Sequence, residues 1–127
     1  MHGREWIVEA HGCDPAALTD LGKLHGLFAS LIEAFSLRPV HEATWHRFPS
    51  YGRAAGGITG LCLLAESHLA CHTFPEYRSL CLNLFCCRPR PDWDFAGYLH
   101  REFCAHNVQV RRIERPYVAA QTAVAAR

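Results

Sequence analysis

The run Ile58-Thr-Gly-Leu-Cys-Leu-Leu-Ala-Glu-Ser-His-Leu-Ala-Cys-His-Thr-Phe-Pro-Glu-Tyr-Arg-Ser-Leu-Cys-Leu-Asn-Leu-Phe-Cys-Cys87 falls into three apolar segments separated by short breaks. Residues 58–65 are continuously apolar, the pattern of a buried strand. Residues 66–74 alternate less cleanly but are also read as extended, with a turn at Pro75. Residues 80–87 alternate, with Leu82, Leu84 and Cys86 on one face and Cys81, Asn83, Phe85 and Cys87 on the other. Connections this short leave no room for a crossover helix, so neighbouring strands pair antiparallel.

On the N-terminal side, residues 5–10 read as a short strand and residues 11–15 as a turn broken by Gly12 and Asp14-Pro15. A helix follows, capped by Thr19 or Asp20. Its Leu21, Leu24, Leu27, Phe28, Leu31, Ile32 and Phe35 recur at spacings of three and four, although Gly22 and Gly26 weaken it slightly. Pro39 ends the helical region, residues 40–48 read as a strand, and residues 49–57 as a loop. On the C-terminal side, Arg88-Pro-Arg-Pro91 breaks the chain. Asp92 is read as the cap of a second helix, with Phe95, Leu99 and Phe103 on one stripe. Residues 108–113 read as a last strand, and the Ala-rich tail beyond Tyr117 as loosely ordered.

The resulting order, β-α-β-β-β-β-α-β, predicts an α+β fold: a two-layer sandwich of a mainly antiparallel β-sheet with two helices on one face. The other sheet face also carries apolar residues, so a partner is expected to cover it, most simply a second copy.

With 127 residues the chain is expected to be one domain, residues 1–127. It is 50% hydrophobic and 20% charged, an ordinary globular composition. Its 13 basic and 12 acidic side chains leave a net charge of +1, which excludes the basic bias of a dedicated nucleic-acid binder. No apolar run is long enough to span a bilayer, so no membrane partner is expected. Residues 1–9 carry Arg4, Glu5 and Glu9 without an apolar signal core, and the seven cysteines then read as free thiols in a reducing cytoplasm.

The densest polar constellation packs Glu66, Ser67, His68, Cys71, His72 and Glu76 together. On a strand, His68 and His72 share one face and Ser67 and Cys71 the other. Zinc ligation is disfavoured because there is no Cys-x-x-Cys pair and Cys86 and Cys87 point apart, so no metal is expected. A serine-hydrolase reading fails too: the Gly-x-Ser-x-Gly elbow is absent, and adjacent strand residues cannot pair as nucleophile and base.

The segment Ala65-Glu-Ser-His-Leu-Ala-Cys-His-Thr-Phe-Pro-Glu-Tyr77 resembles the processing site of the small prokaryotic S-adenosylmethionine decarboxylases, pyruvoyl-dependent enzymes made as self-cleaving proenzymes. The likeness extends to Gly12-Cys-Asp14, Trp45-His-Arg-Phe48, residues 60–66 and Asn83-Leu-Phe-Cys-Cys87, and so spans about Trp6 to Glu114. The resemblance implies cleavage between Glu66 and Ser67 into a β chain of residues 1–66 and an α chain of residues 67–127. Ser67 would become the pyruvoyl group, the only cofactor, and would bind the substrate amine as a Schiff base. By the same resemblance, His72 moves the processing proton and Thr59, where relatives usually carry serine, supports the oxyanion. Cys87 matches the cysteine that returns a proton after decarboxylation. Glu76 matches the ribose-binding glutamate, Phe48 an adenine-stacking aromatic, and Phe74 a position where many relatives have tryptophan. Cys62, Cys81, Cys86 and Cys104 are read as buried structural thiols, Cys13 as packing, and Cys71 is given no role.

Three departures from the family pattern lie on the substrate side: an insertion of residues 53–57, Ala10-His-Gly12 in place of an aromatic before Cys13, and Phe74 for tryptophan. The expectation is a decarboxylase of S-adenosylmethionine serving spermidine synthesis, in the form of a homodimer. A pyruvoyl-dependent arginine or ornithine decarboxylase and an unprocessed, non-catalytic binding homologue remain as alternatives.

Overall fold

The computed structural model describes residues 1–50, 52 and 56–119. The strands are His2–His11 (β1), Thr44–Arg47 (β2), Ile58–Leu64 (β3), Ser67–Phe74 (β4), Ser79–Cys86 (β5) and Asn107–Pro116 (β6). They form one six-stranded sheet in the order β2-β3-β4-β5-β1-β6, with every neighbouring pair antiparallel. Helices Pro15–Leu18 (α1), Leu21–Ala34 (α2) and Phe95–Phe103 (α3) accompany it, and a 3-10 turn, Pro75–Tyr77, joins β4 to β5. The α+β sandwich expected from the pattern of segments is the architecture found.

Each helix starts on an aspartate that accepts from a backbone N–H otherwise left without a partner. Asp14 accepts from Ala16 at 3.0 Å, Asp20 from Lys23 at 3.2 Å, and Asp94 from Gly97 at 2.9 Å. The apolar stripe of α2 buries Leu24, Leu27, Phe28 and Leu31, and α3 buries Phe95, Leu99 and Phe103. They pack with Trp6, Val8 and Ala10 of β1, Leu69 and Cys71 of β4, and Leu80, Leu82 and Leu84 of β5 in one core cluster. Each large side chain so buried stabilises the fold by about 1.5–3 kcal/mol. At the sheet edge, Trp45 stacks on His25 at 5.0 Å and lies against Phe28 at 4.6 Å. It can do so only because Gly60 opposite has no Cβ, which would sit 2.2 Å from the Trp45 ring.

Among the described residues, nothing covers the other sheet face. Leu61, Leu63, Phe74 and Ile113 on it are 38–45% exposed. Among the described residues, no helix is long and apolar enough to cross a membrane.

Several elements differ from expectation. α1, four residues long and not expected, starts at Pro15, the last residue of the region read as a turn, because Asp14-Pro15 caps a helix as readily as it starts a turn. Only Thr44–Arg47 of the strand expected over residues 40–48 joins the sheet. The cap of α3 is Asp94 instead of Asp92; Asp92 accepts from Trp6 Nε1 at 3.3 Å and from Arg112 at 2.9 Å. β6 runs on through Glu114 and Arg115, which pair with Arg4 and Glu5 of β1. Of the insertion read at residues 53–57, residues 53–55 lie outside the described residues, as does the tail from residue 120.

Candidate active site

The β3–β4 hairpin positions the first group. Leu64 faces Ser67 across the ladder, so the turn consists of Ala65 and Glu66 alone. Glu66 adopts φ +54°, the left-handed region, which costs a residue with a Cβ about 1–2 kcal/mol. The turn is pinned from outside: the Ala65 N–H donates to the Arg38 carbonyl at 2.9 Å, and Pro39 bridges Leu64. Ser67 therefore follows a strained peptide held in place.

The end of β5 lies alongside. The Cys87 N–H donates to Ser67 Oγ at 2.9 Å, and the Cys87 thiol sits 3.9 Å from the Ala65 carbonyl oxygen. Tyr117 OH donates to the Cys87 carbonyl at 3.0 Å. Glu66, Ser67, Cys87 and Tyr117 line a cavity of about 410 Å³ with Arg38 and Arg88 at its wall. The structure thus brings together Glu66, Ser67 and Cys87, and adds Tyr117, to which the sequence reading gave no role. No periodic signal points to Tyr117; it is placed by the length of β6.

A second group gathers at the far end of β4. Thr59 and His72 are register partners, and Thr59 Oγ1 lies 2.9 Å from His72 Nδ1. Cys81 faces His72 from β5, so the thiol read as buried is a half-buried neighbour of the histidine. Phe48, Thr59, His72, Phe74, Glu76 and Tyr77 line a cavity of about 850 Å³. All three residues assigned to substrate binding therefore lie in the same cavity as the pair assigned to processing chemistry.

The two groups do not meet within one chain. Ser67 and His72 are five positions apart on β4, about 16 Å at strand rise. They also point to opposite faces, since Ser67 shares the helix-covered face with Leu69 and Cys71 while His72 is exposed. His72 was expected beside the backbone that rearranges; a short separation in sequence becomes a long one in an extended strand.

The remaining thiols behave as packing groups, with one exception. Burial pushes the thiol of Cys71 up to about 12 and those of Cys13 and Cys86 up to about 11, the last partly offset by Arg90. Cys104, also read as buried, is exposed at the C-terminus of α3. Among the described residues, no cluster of three or more His, Cys, Asp or Glu side chains could hold a metal ion.

The family model described as S-adenosylmethionine decarboxylase matches residues 4–116. The chain belongs to this family. It is 31% identical over 125 residues to the S-adenosylmethionine decarboxylase proenzyme of Moorella thermoacetica, covering 97% of this chain and 94% of that protein. The proenzyme of Pelotomaculum thermopropionicum is 31% identical over 115 residues, covering 89% and 86%. The crystal structure of the adenosylmethionine decarboxylase of Aquifex aeolicus superposes with a TM-score of 0.73 at 19% identity, over 93% of each chain, and has the same fold. The Moorella and Pelotomaculum relatives are named as proenzymes.

Proposed function

We propose that this chain is a self-processing decarboxylase of S-adenosylmethionine, cut between Glu66 and Ser67 and active as a homodimer. One observation carries the reading: a serine hydroxyl held at 2.9 Å by the Cys87 N–H, next to a left-handed non-glycine residue, at the mouth of a cavity that also holds the Cys87 thiol.

Processing follows from those residues. Ser67 Oγ attacks the Glu66 carbonyl carbon, the peptide N–C bond breaks, and Glu66 becomes esterified to Ser67. Removal of the Ser67 Cα proton then breaks the Cβ–O bond and releases Glu66 as a carboxylate. Water replaces the nitrogen, which leaves as ammonia, and the α chain begins with a pyruvoyl group. The site has room for that group, because residue 67 opens onto a cavity beside the Cys87 N–H. Once formed, the group supplies an electron sink for decarboxylation. Cys87 Sγ then returns a proton to the substrate carbon.

The oxyanion and proton-transfer residues, Thr59 and His72, are supplied by the second copy in this reading. A two-fold axis lying between two uncovered sheet faces and across the strands reverses β4 over its partner, laying the Ser67 end over the partner's far end. The site is incomplete without that copy, and the exposed Leu61, Leu63 and Ile113 are the surface it would cover.

The cavity at His72 suits a nucleoside. Glu76 offers two acceptor oxygens to ribose hydroxyls, and Phe48 and Phe74 offer ring faces to adenine. That lining favours S-adenosylmethionine over arginine or ornithine. The product would serve as the aminopropyl donor for spermidine, and seven free cysteines suit a reducing cytoplasm.

Intact-mass measurement of the purified chain tests the reading. Two fragments ending at Glu66 and beginning at a pyruvoyl-blocked residue 67 are expected, with Ser67→Ala uncut and carbon dioxide released from S-adenosylmethionine. A chain that stays whole, or a Ser67→Ala chain that is cut, overturns it.

A further inference from the structure

The residue next to Ser67 is tied into a closed circuit of side chains on the uncovered sheet face. His68 Nε2 lies 2.7 Å from Asn83 Oδ1, and Asn83 Nδ2 donates to Glu5 Oε2 at 2.7 Å. Arg115 donates to the other oxygen of Glu5, and its guanidinium sits 5.6 Å above the Phe85 ring. Phe85 in turn stacks on His68, with ring centroids 5.8 Å apart and planes 21° apart. The circuit joins β4, β5, β1 and β6. Phe85 has room beside β1 because Gly3 has no Cβ, which would come within 2.8 Å of the ring.

The circuit has a direction. Glu5 is an acceptor only, so the Asn83 amide nitrogen must face it, and the Asn83 oxygen must face His68. His68 therefore carries its proton on Nε2 and donates it. Burial would raise the Glu5 carboxyl, but the hydrogen bonds from Asn83 and Arg115 outweigh it and hold the group below the ordinary carboxylate range.

We propose that His68 is a positioning residue, which clamps the end of the α chain that carries the pyruvoyl group through Asn83 and Glu5 to Arg115. The proposal rests on cleavage at Glu66–Ser67. Before cleavage residue 67 is held by the chain on both sides. After it, residue 67 is a strand end, and strand ends fray. His68 supplies the amide nitrogen to which the new group is attached, and once the Ser67 hydroxyl has left, its ring is the first side chain beyond the cut held by a hydrogen bond to a neighbouring strand.

A displaced ester has a second fate. Water can attack its carbonyl and break the acyl C–O bond, leaving Glu66 with a free carboxyl and Ser67 with its amine and hydroxyl. Position decides between this hydrolysis, which leaves a serine-ended α chain, and elimination, which leaves a pyruvoyl-ended one.

The test compares the full-length wild-type chain with His68→Gln, His68→Glu and His68→Leu, each checked for folding by circular dichroism. Gln donates to Asn83 as His68 does; Glu has nearly the same shape but can only accept. Mass spectrometry gives the ratio of serine-ended to pyruvoyl-ended α chains, and steady-state kinetics gives kcat and KM. His68→Gln is expected to match wild type in the end-group ratio. His68→Glu and His68→Leu are expected to shift the ratio toward serine and to lower kcat about tenfold or more, with KM changing less than about threefold. A His68→Glu chain indistinguishable from His68→Gln, or a His68→Leu chain with wild-type ends and kcat, overturns the proposal while leaving the processing reading intact. An uncut wild-type chain overturns both.

Discussion

The separation of Ser67 from His72 makes a quantitative prediction about mixed dimers. The two residues lie about 16 Å apart along β4 and on opposite faces, against a proton-transfer reach of about 3 Å. If processing needs both, each cut requires Ser67 from one chain and His72 from the other. Alone, Ser67→Ala cannot cleave, and His72→Ala should cleave about 10²–10⁴-fold more slowly for want of its proton carrier. Co-expression of the two variants in equal amounts, each with its own tag, changes this. Random pairing puts about half of the His72→Ala chains beside a Ser67→Ala partner that still has His72. Those chains should cleave at the wild-type rate, so about half of the His72→Ala band should be converted while the Ser67→Ala band stays whole. Denaturing gels of the separately tagged chains read both fractions. A His72→Ala band that remains as uncut in the mixture as it is alone would show that the site does not cross the dimer.

Two further outcomes are expected. Cys87→Ala should cleave as wild type but lose about 10²–10⁴-fold in decarboxylation, measured as carbon dioxide released; undiminished release would remove Cys87 from the reaction. The fold should also weaken in alkali. Burial raises the Cys71 thiol from 9.0 to about 12, so the folded chain keeps its proton where the unfolded chain has lost it. That stabilisation is complete below pH 9 and is lost between there and 12. Between pH about 9 and about 10.5, Cys71 alone should cost about 2 kcal/mol, read as a lower urea midpoint; an unchanged midpoint would contradict the burial.

The helix-covered half of the molecule could be read from sequence because its elements are apolar and periodic. The stripe of α2 and the alternation of Leu80, Leu82 and Leu84 state which face is buried. β6 could not be read to its end, because beyond Ile113 it is held by Arg4–Glu114 and Glu5–Arg115 pairs that leave no hydrophobic period. α1 was missed because four residues carry no period at all. At the candidate site, the motif named the residues and alternation gave their faces. What it did not convey was distance: Ser67 and Cys87 are far apart in sequence yet joined by a hydrogen bond, while Ser67 and His72 are close in sequence and far apart in space.

The strand order β2-β3-β4-β5-β1-β6 has a consequence for the chain's history. A cut between Glu66 and Ser67 gives β1, β2 and β3 to one fragment and β4, β5 and β6 to the other, yet β1 lies between β5 and β6. The fragments are interleaved, so neither can leave without dismantling the sheet. They also could not easily reassemble: the precursor folds as one molecule, whereas the denatured product would need two pieces to find each other, at a rate set by concentration. Processing would turn a chain that can refold into a complex that folds once, and its lifetime would then depend on how slowly it unfolds.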